Sequence, residues 1–195
     1  MKLYYSPGAC SMAAHIVAVE GNLPIDLERV DLKAHKTVNG EDFYAINPKG
    51  YVPALKVDDG TILAENAAVL PFLGDKTGAM PRDGIDRYRV LEWIGFISSE
   101  LHKSFSPLFR NAPPEYQAQM KEKIARQMKL VEDRLTGHYL MGASFTPADA
   151  YLYVILRWAA RMEIDLSHLP KVTAFKARME AREAVQKVLK AEGAQ

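Results

Sequence analysis

Apolar positions along the chain change their period once, near Asp83. Before it, short apolar runs alternate with Gly, Pro and Asn breaks; after it, apolar residues recur every three or four positions. Met1-Lys2-Leu3-Tyr4-Tyr5 reads as a first strand. The turn Ser6-Pro7-Gly8-Ala9 follows, then the apolar run Ser11 to Glu20, a helix stopped at Gly21-Asn22. Ile25 to Val30, after Pro24, predicts a second strand. A polar stretch, Asp31 to Asp42, leads to a short helical piece, Phe43 to Ile46, ended by Asn47-Pro48-Lys49-Gly50. Pro53 to Val57 and Thr61 to Leu63 flank Asp58-Asp59-Gly60, whose Asp-Gly step predicts a hairpin. A third helix is expected from Glu65 to about Gly74. The order β-α-β-α-β-β-α predicts an α/β layer.

From Asp83 onward only helices are expected. Tyr88, Leu91, Ile94, Ile97, Leu101, Phe105 and Leu108 recur at steps of three and four, the signature of one long amphipathic helix. Glu115 to Leu135 reads as its partner. Thr146-Pro147-Ala148-Asp149 sets a capping hydroxyl before a proline at the first helical position and an acid three residues on. It opens a helix carrying Tyr151, Val154, Ile155 and Trp158, expected to lie inside the second domain. Val172 to Ala181 and Glu183 to Lys190 close the chain. Lys76 to Asp83 has the Gly, Pro and charge of a linker, so the division is residues 1–77 and 84–195.

Composition narrows the function more than the fold. The 195 residues are 48% hydrophobic and 25% charged, ordinary for a globular protein. Lys plus Arg number 25 against 24 Asp plus Glu, so no single-sign field points to nucleic acid, an anionic membrane or a strongly charged substrate. A small-molecule partner is expected. The single cysteine excludes an intrachain disulfide, and the amino-terminal stretch lacks the apolar core of a secretion signal, which together predict a reducing, cytoplasmic setting. No apolar run approaches the roughly 20 residues of a membrane span. Five scattered histidines with one cysteine give no metal-ligand spacing, and no G-x-G-x-x-G or P-loop is present.

The candidate chemistry begins at that cysteine. Cys10 falls between the first strand and the first helix, where free backbone N–H groups and the helix dipole favour a thiolate. The expectation is a thiol pKa below the ordinary value. The plainer alternative is a cysteine buried as a small hydrophobe.

Four segments carry a family resemblance: Tyr4-Tyr5-Ser6-Pro7-Gly8-Ala9-Cys10-Ser11, Asn47-Pro48-Lys49-Gly50-Tyr51-Val52-Pro53-Ala54-Leu55, Glu100-Leu101-His102-Lys103 and Phe145-Thr146-Pro147-Ala148-Asp149-Ala150-Tyr151. In this order, and over essentially the whole chain, they resemble the bacterial beta-class glutathione transferases. The resemblance implies a thioredoxin-like α/β amino-terminal domain that binds glutathione and an all-α carboxy-terminal domain that walls the site of a small apolar electrophile. It also implies a homodimer, with glutathione as co-substrate and no bound cofactor.

Residue by residue, the resemblance implies Cys10 and His102 as catalytic groups. Val52, before a cis Pro53, would pair with the backbone of glutathione. Glu65 would meet its ammonium, and the helix start at Asn66 its γ-glutamyl carboxylate; the family usually has Ser or Gly where Asn66 stands. His35 matches a lysine that holds the glycyl carboxylate, with Lys33 and Lys36 beside it as substitutes. Tyr5 is a further hydroxyl near Cys10, and Ser11 a weak donor or a simple cap. Gly95, Ser98 or Ser99, and Ser106 form a small polar stripe beside His102; the family commonly has asparagine where Gly95 stands, reaching glutathione in the neighbouring subunit. The implied reactions are conjugation of glutathione to an electrophile and, through Cys10, thiol transfer or peroxide reduction at least as strong. Phe105, Leu108 and Phe109 describe the second substrate only as apolar. A non-catalytic binder of apolar ligands, a redox-sensing module, and a glutathione-dependent isomerase or dehalogenase on the same fold remain alternatives.

Overall fold

The computed structural model describes residues 1–194. Strand β1 (Lys2–Tyr5) is followed by α1 (Met12–Glu20), β2 (Asp26–Asp31), β3 (Lys36–Thr37), α2 (Phe43–Ile46), β4 (Ala54–Lys56), β5 (Ile62–Ala64) and α3 (Asn66–Thr77). The sheet order is β3-β2-β1-β4-β5. β1 runs parallel to β2, with Leu3 opposite Leu27, and antiparallel to β4, with Leu3 also opposite Leu55. A mixed sheet of this kind with helices packed on it is the α/β layer that the element order predicted and the thioredoxin-like domain that the resemblance implied. The β4–β5 hairpin closes at Asp59-Gly60, where Gly60 has φ of +88° and the Asp59 carboxylate accepts from the Thr61 N–H. The polar stretch 31–42 contains a strand the periodicity missed. β3 is two residues long, too short for alternation to register.

Helix α1 is buried from Met12 to Ala18. Its run of Met, Ala, Ile and Val on every face suits a helix enclosed on all sides, packed against α3, α7 and α9. Interdomain contact is close elsewhere too: a Cβ on Gly74 of α3 would stand 2.6 Å from Pro147 Cγ, so glycine permits that approach.

The helical domain comprises α4 (Gly84–Phe96), a π-helical segment (Ile97–His102), α5 (Lys103–Phe109), α6 (Pro114–Arg134), α7 (Pro147–Arg161), α8 (Pro170–Glu180) and α9 (Glu183–Glu192). The expected long helix is thus continuous from Gly84 to Phe109, with a π-helical turn inside it. Ile94, Ile97, Leu101, Phe105 and Leu108 are buried as their spacing required, but Leu91 is half-buried and Tyr88 is 65% exposed. Val90 and Trp93 take the core positions at that end. The π segment carries Ile97 and Leu101 on the buried face, and such segments often lie at functional sites. At α7 the capping box forms as its sequence predicts. Asp149 accepts from the Thr146 N–H and hydroxyl at 2.7 Å each and from the Leu140 N–H at 2.8 Å. Between the domains, Arg87 grips Asp75 through two hydrogen bonds of 2.6 and 2.9 Å and caps the Pro81 carbonyl.

Candidate active site

Cys10 ends the turn that leads into α1, and both domains hold that turn. Ala9 N–H donates to the Ser6 carbonyl at 3.0 Å, and Gly8 takes φ of +69°. From the helical domain, Trp158 Nε1 donates to the Gly8 carbonyl at 2.8 Å, and Glu192 accepts from the Gly8 N–H at 2.9 Å. The other Glu192 oxygen lies 2.9 Å from His15 Nδ1, inside the core. Trp158 and Glu192 are thus part of the site's frame although they lie some 150 and 184 residues along the chain from Gly8. Ser11 braces the same turn: its hydroxyl accepts from the Ser6 N–H at 3.2 Å, and it makes no side-chain cap on α1.

The thiol does not behave as its place in the sequence suggests. Cys10 is 9% exposed and its Sγ donates to the Val52 carbonyl at 3.2 Å. Burial, reinforced by the field of Glu65, pushes its pKa up to about 12, against smaller opposing contributions from the backbone N–H groups of Cys10 and Ser11 and from Lys103. The expected thiolate is corrected to a neutral thiol: loss of hydration outweighs the helix start. The Val52–Pro53 bond is cis, as the resemblance implied.

Val52 and Asn66 bond to Cys10 directly, and behind them His102 is bonded to Tyr151. Asn66, 4% exposed at the first turn of α3, donates its side-chain N–H to the Cys10 carbonyl at 3.0 Å. His102 Nδ1 is 2.6 Å from the Tyr151 hydroxyl, and its ring packs edge-on against Trp158 with centroids 4.9 Å apart. Burial, with Lys103 adding to it, lowers the His102 pKa to about 4, so the imidazole is neutral near pH 7. Tyr151 is 1% exposed, and burial raises its hydroxyl well above the ordinary phenol value. Sequence reasoning placed Tyr151 in the core and gave it no role; an aromatic on a buried helix face carries no further signal.

Glu65 precedes α3 with φ of +74°, an unusual conformation for a residue with a side chain, and its carbonyl accepts from the Ala68 and Val69 N–H groups. Its exposed carboxylate pairs with Lys49 Nζ at 2.9 Å. His35, with φ of +50°, stacks on Tyr44 at 4.4 Å between centroids, and its Nδ1 is buried against Gly50 with no hydrogen-bond partner among the described residues. It therefore stands beside the loop that carries Val52. Two expected neighbours are elsewhere. Tyr5 packs its ring 6.1 Å from His15, and burial with the field of Glu192 keeps it a neutral phenol; the hydrogen bond of Cys10 goes to Val52 instead. Ser99 is exposed, its hydroxyl bonded back to the Gly95 carbonyl at 3.0 Å.

Along the open side, Phe109 is 42% exposed and packs edge-on against Trp158 at 5.1 Å, whereas Phe105 and Leu108 are buried behind it. Among the described residues no group of three His, Cys, Asp or Glu could hold a metal ion, and no helix is long and apolar enough to cross a membrane.

A cis-proline loop facing a cysteine at the first strand-to-helix turn, closed by a helical domain, defines a thiol-handling site on a thioredoxin-like frame. The chain belongs to the glutathione S-transferase family. The model of its amino-terminal domain matches residues 8–76 and that of its carboxy-terminal domain residues 96–183. It is 43% identical to glutathione S-transferase GstA of Escherichia coli O157:H7, over 99% of each chain. Among solved structures it is similar to a sphingomonad glutathione S-transferase complexed with glutathione (TM-score 0.94, 40% identity, all of both chains). A bacterial beta-class enzyme of Sphingomonas chungbukensis superposes equally well (TM-score 0.95, 38% identity, all of both chains). The protein is accordingly an enzyme of the glutathione transferase class, of beta-class type, with glutathione as its co-substrate.

Proposed function

We propose that this enzyme conjugates glutathione to small apolar electrophiles in detoxification, as a cytoplasmic homodimer, and that Cys10 adds a slower thiol-transfer capacity. The observation that carries this reading is the Cys10 thiol bonded to the Val52 carbonyl in the cis-proline loop. Glutathione pairing its backbone with Val52 would lay its sulfur beside Cys10 and the neutral His102, where hydrogen bonds favour glutathione thiolate over thiol. Glu65 is the partner for the ammonium, which would displace Lys49. The start of α3 at Asn66 would hold the γ-glutamyl carboxylate, and His35 the glycyl carboxylate. Ser99, facing solvent beside Gly95, would reach a glutathione only in a second copy of the chain. Dimer formation is supported by Ile85 and Tyr88, 66% and 65% exposed on one face of α4. Residues 1–77 would then bind glutathione and residues 84–195 would supply the second-substrate wall, with the exposed Phe109 ring, backed by the buried Trp158, its aromatic part.

In conjugation, the glutathione sulfur bonds to the electrophilic carbon and the leaving group departs with the electron pair. In thiol transfer, Cys10 loses its proton to solvent and attacks a glutathione-containing disulfide, releasing the other thiolate. Because Cys10 is held protonated, the second reaction is the slower at neutral pH, and the same burial argues against a rapid redox sensor. Kinetics of Cys10→Ala test the division of roles. Thiol transfer should be abolished while conjugation persists at a reduced rate; unchanged thiol transfer would refute it.

A further inference from the structure

Gly8 is held at both of its backbone polar groups by side chains of the helical domain. Its N–H donates to Glu192, at the end of α9, over 2.9 Å, and its carbonyl accepts from Trp158 Nε1 of α7 over 2.8 Å. Packing adds little on its open side, since a Cβ on Gly8 would meet no heavy atom within 4 Å. Within the turn, the bonds from Ala9 N–H to the Ser6 carbonyl and from Met12 N–H to the Ala9 carbonyl keep its shape. The turn is therefore a small unit whose placement is set from outside.

Glu192 is the more informative of the two holders. Its side chain is fully buried, and its second oxygen lies 2.9 Å from Nδ1 of His15, 3% exposed in the first turn of α1. One carboxylate thus joins Gly8, ahead of Cys10, to His15, beyond it, and brackets the junction at which the thiol sits. A buried carboxylate and its partner seldom repay their lost hydration in net stability; their better-attested use is to fix one register among several. The α9 end is itself anchored. Val185, Val188 and Leu189 are buried, Gly193 turns the chain in the left-handed conformation, and Arg157 of α7 donates to the Ala194 carbonyl.

We propose that Glu192 is a positioning residue for Cys10: by clamping Gly8 and His15 from α9 it holds the turn closed against the Val52 loop, and it thereby restrains the Cys10 sulfur from exchange. This rests on, and deepens, the thiol-transfer part of the reading above. The chemical step is unaltered. Cys10 Sγ gives its proton to solvent and bonds to one sulfur of a glutathione-containing disulfide, whose other sulfur leaves as thiolate with the bonding pair. The clamp changes only the hydration of the attacking sulfur. The charged groups facing Cys10 are Glu65 and Lys103, and those facing Glu192 are His15 and the Tyr5 hydroxyl.

The test is the rate of Cys10 alkylation by iodoacetamide across pH, followed by intact mass in the wild type, Glu192→Gln and a Cys10→Ala control. Each is assayed at a temperature where circular dichroism shows it folded. Glu192→Gln keeps its shape and one acceptor but turns an NH2 towards Gly8 or His15. Below about pH 9 it should alkylate faster than the wild type, by about threefold for each unit by which the thiol pKa falls. About tenfold more thiolate is then partly offset by weaker nucleophilicity. The adduct with glutathione disulfide should form faster by a similar factor. Arg157→Met, which frees the end of α9 without touching the turn, should act the same way by a smaller factor, and it serves if Glu192→Gln does not fold. A merely structural role would lower the thermal midpoint and leave the alkylation rate and its pH profile at wild-type values. That result in folded variants, or slower alkylation, would overturn the proposal. Faster alkylation with no glutathione adduct in any variant would overturn the thiol-transfer reading instead, since iodoacetamide needs no glutathione site.

Discussion

Asp149→Asn removes a buried charge while keeping nearly the same shape, so its effect can be worked from the three bonds the carboxylate accepts. Oδ1 takes the Leu140 N–H at 2.8 Å; Oδ2 takes the Thr146 N–H and hydroxyl at 2.7 Å each. The asparagine oxygen can replace only one of these oxygens, leaving its NH2 facing a donor. One lost charge-assisted bond, two weakened to neutral strength and one unpaired N–H together cost about 5 kcal/mol. Sparing the burial of a charge offsets about 3 kcal/mol of this, since burial raises the Asp149 pKa from 3.8 to about 6. The net loss near pH 7 is about 2 kcal/mol, or about 4–8 °C in the midpoint of thermal unfolding for a chain of this size.

The pH dependence carries a sign that separates burial from hydrogen bonding. The folded carboxyl keeps its proton to a higher pH than the unfolded one, so the native state binds more protons between these values. Its contribution to stability is fully present below the unfolded pKa and is lost as pH rises through about 6. The gap between wild type and Asp149→Asn, by urea unfolding, should therefore widen by about 1 kcal/mol on going from pH 7 to pH 5. A gap that narrows would mean that the hydrogen bonds outweigh burial, and a midpoint change below about 1 °C would remove the capping box from the energetics.

Two further substitutions probe how the domains are held. Gly74→Ala would put a Cβ 2.6 Å from Pro147 Cγ and 3.0 Å from Met80 Cβ, where neither neighbour is a flexible chain end. It should destabilise by about 1–3 kcal/mol; wild-type unfolding would refute the close approach of α3 and α7. Glu132, buried on α6, accepts from the Lys171 and Val172 N–H groups at 3.1 and 2.9 Å and so caps α8 from outside. Glu132→Ala should cost about 2–4 kcal/mol and speed hydrogen exchange at those two amides with conjugation unchanged at room temperature; unaltered exchange would refute the cap.

Where local chemistry decides, the sequence was legible. The Asp-Gly turn, the Thr-Pro-Ala-Asp helix start and the all-apolar α1 each state their own conformation, and the family motifs supplied the cis bond at Val52–Pro53. What escaped is non-local. The ionisation of Cys10 was misjudged because a helix start is visible in sequence, whereas the desolvation that overrides it comes from both domains closing on the turn. Trp158 and Glu192 hold Gly8 from the far end of the chain, and no spacing rule links them. The π segment was hidden inside a periodicity of threes and fours that a straight helix also satisfies.

Intact mass of the reductant-free protein, followed over time with glutathione disulfide at a series of pH values beside Cys10→Ala, tests the site most directly. The structure predicts addition of one glutathione to the wild type alone, reversible by excess glutathione. The reaction should be slow near pH 7 and accelerate with pH without a plateau up to at least about pH 9, because the buried thiol ionises only near 12. No adduct at any pH would make Cys10 a structural core residue; rapid addition levelling off below about pH 8 would restore the thiolate and contradict the burial that the structure assigns to it.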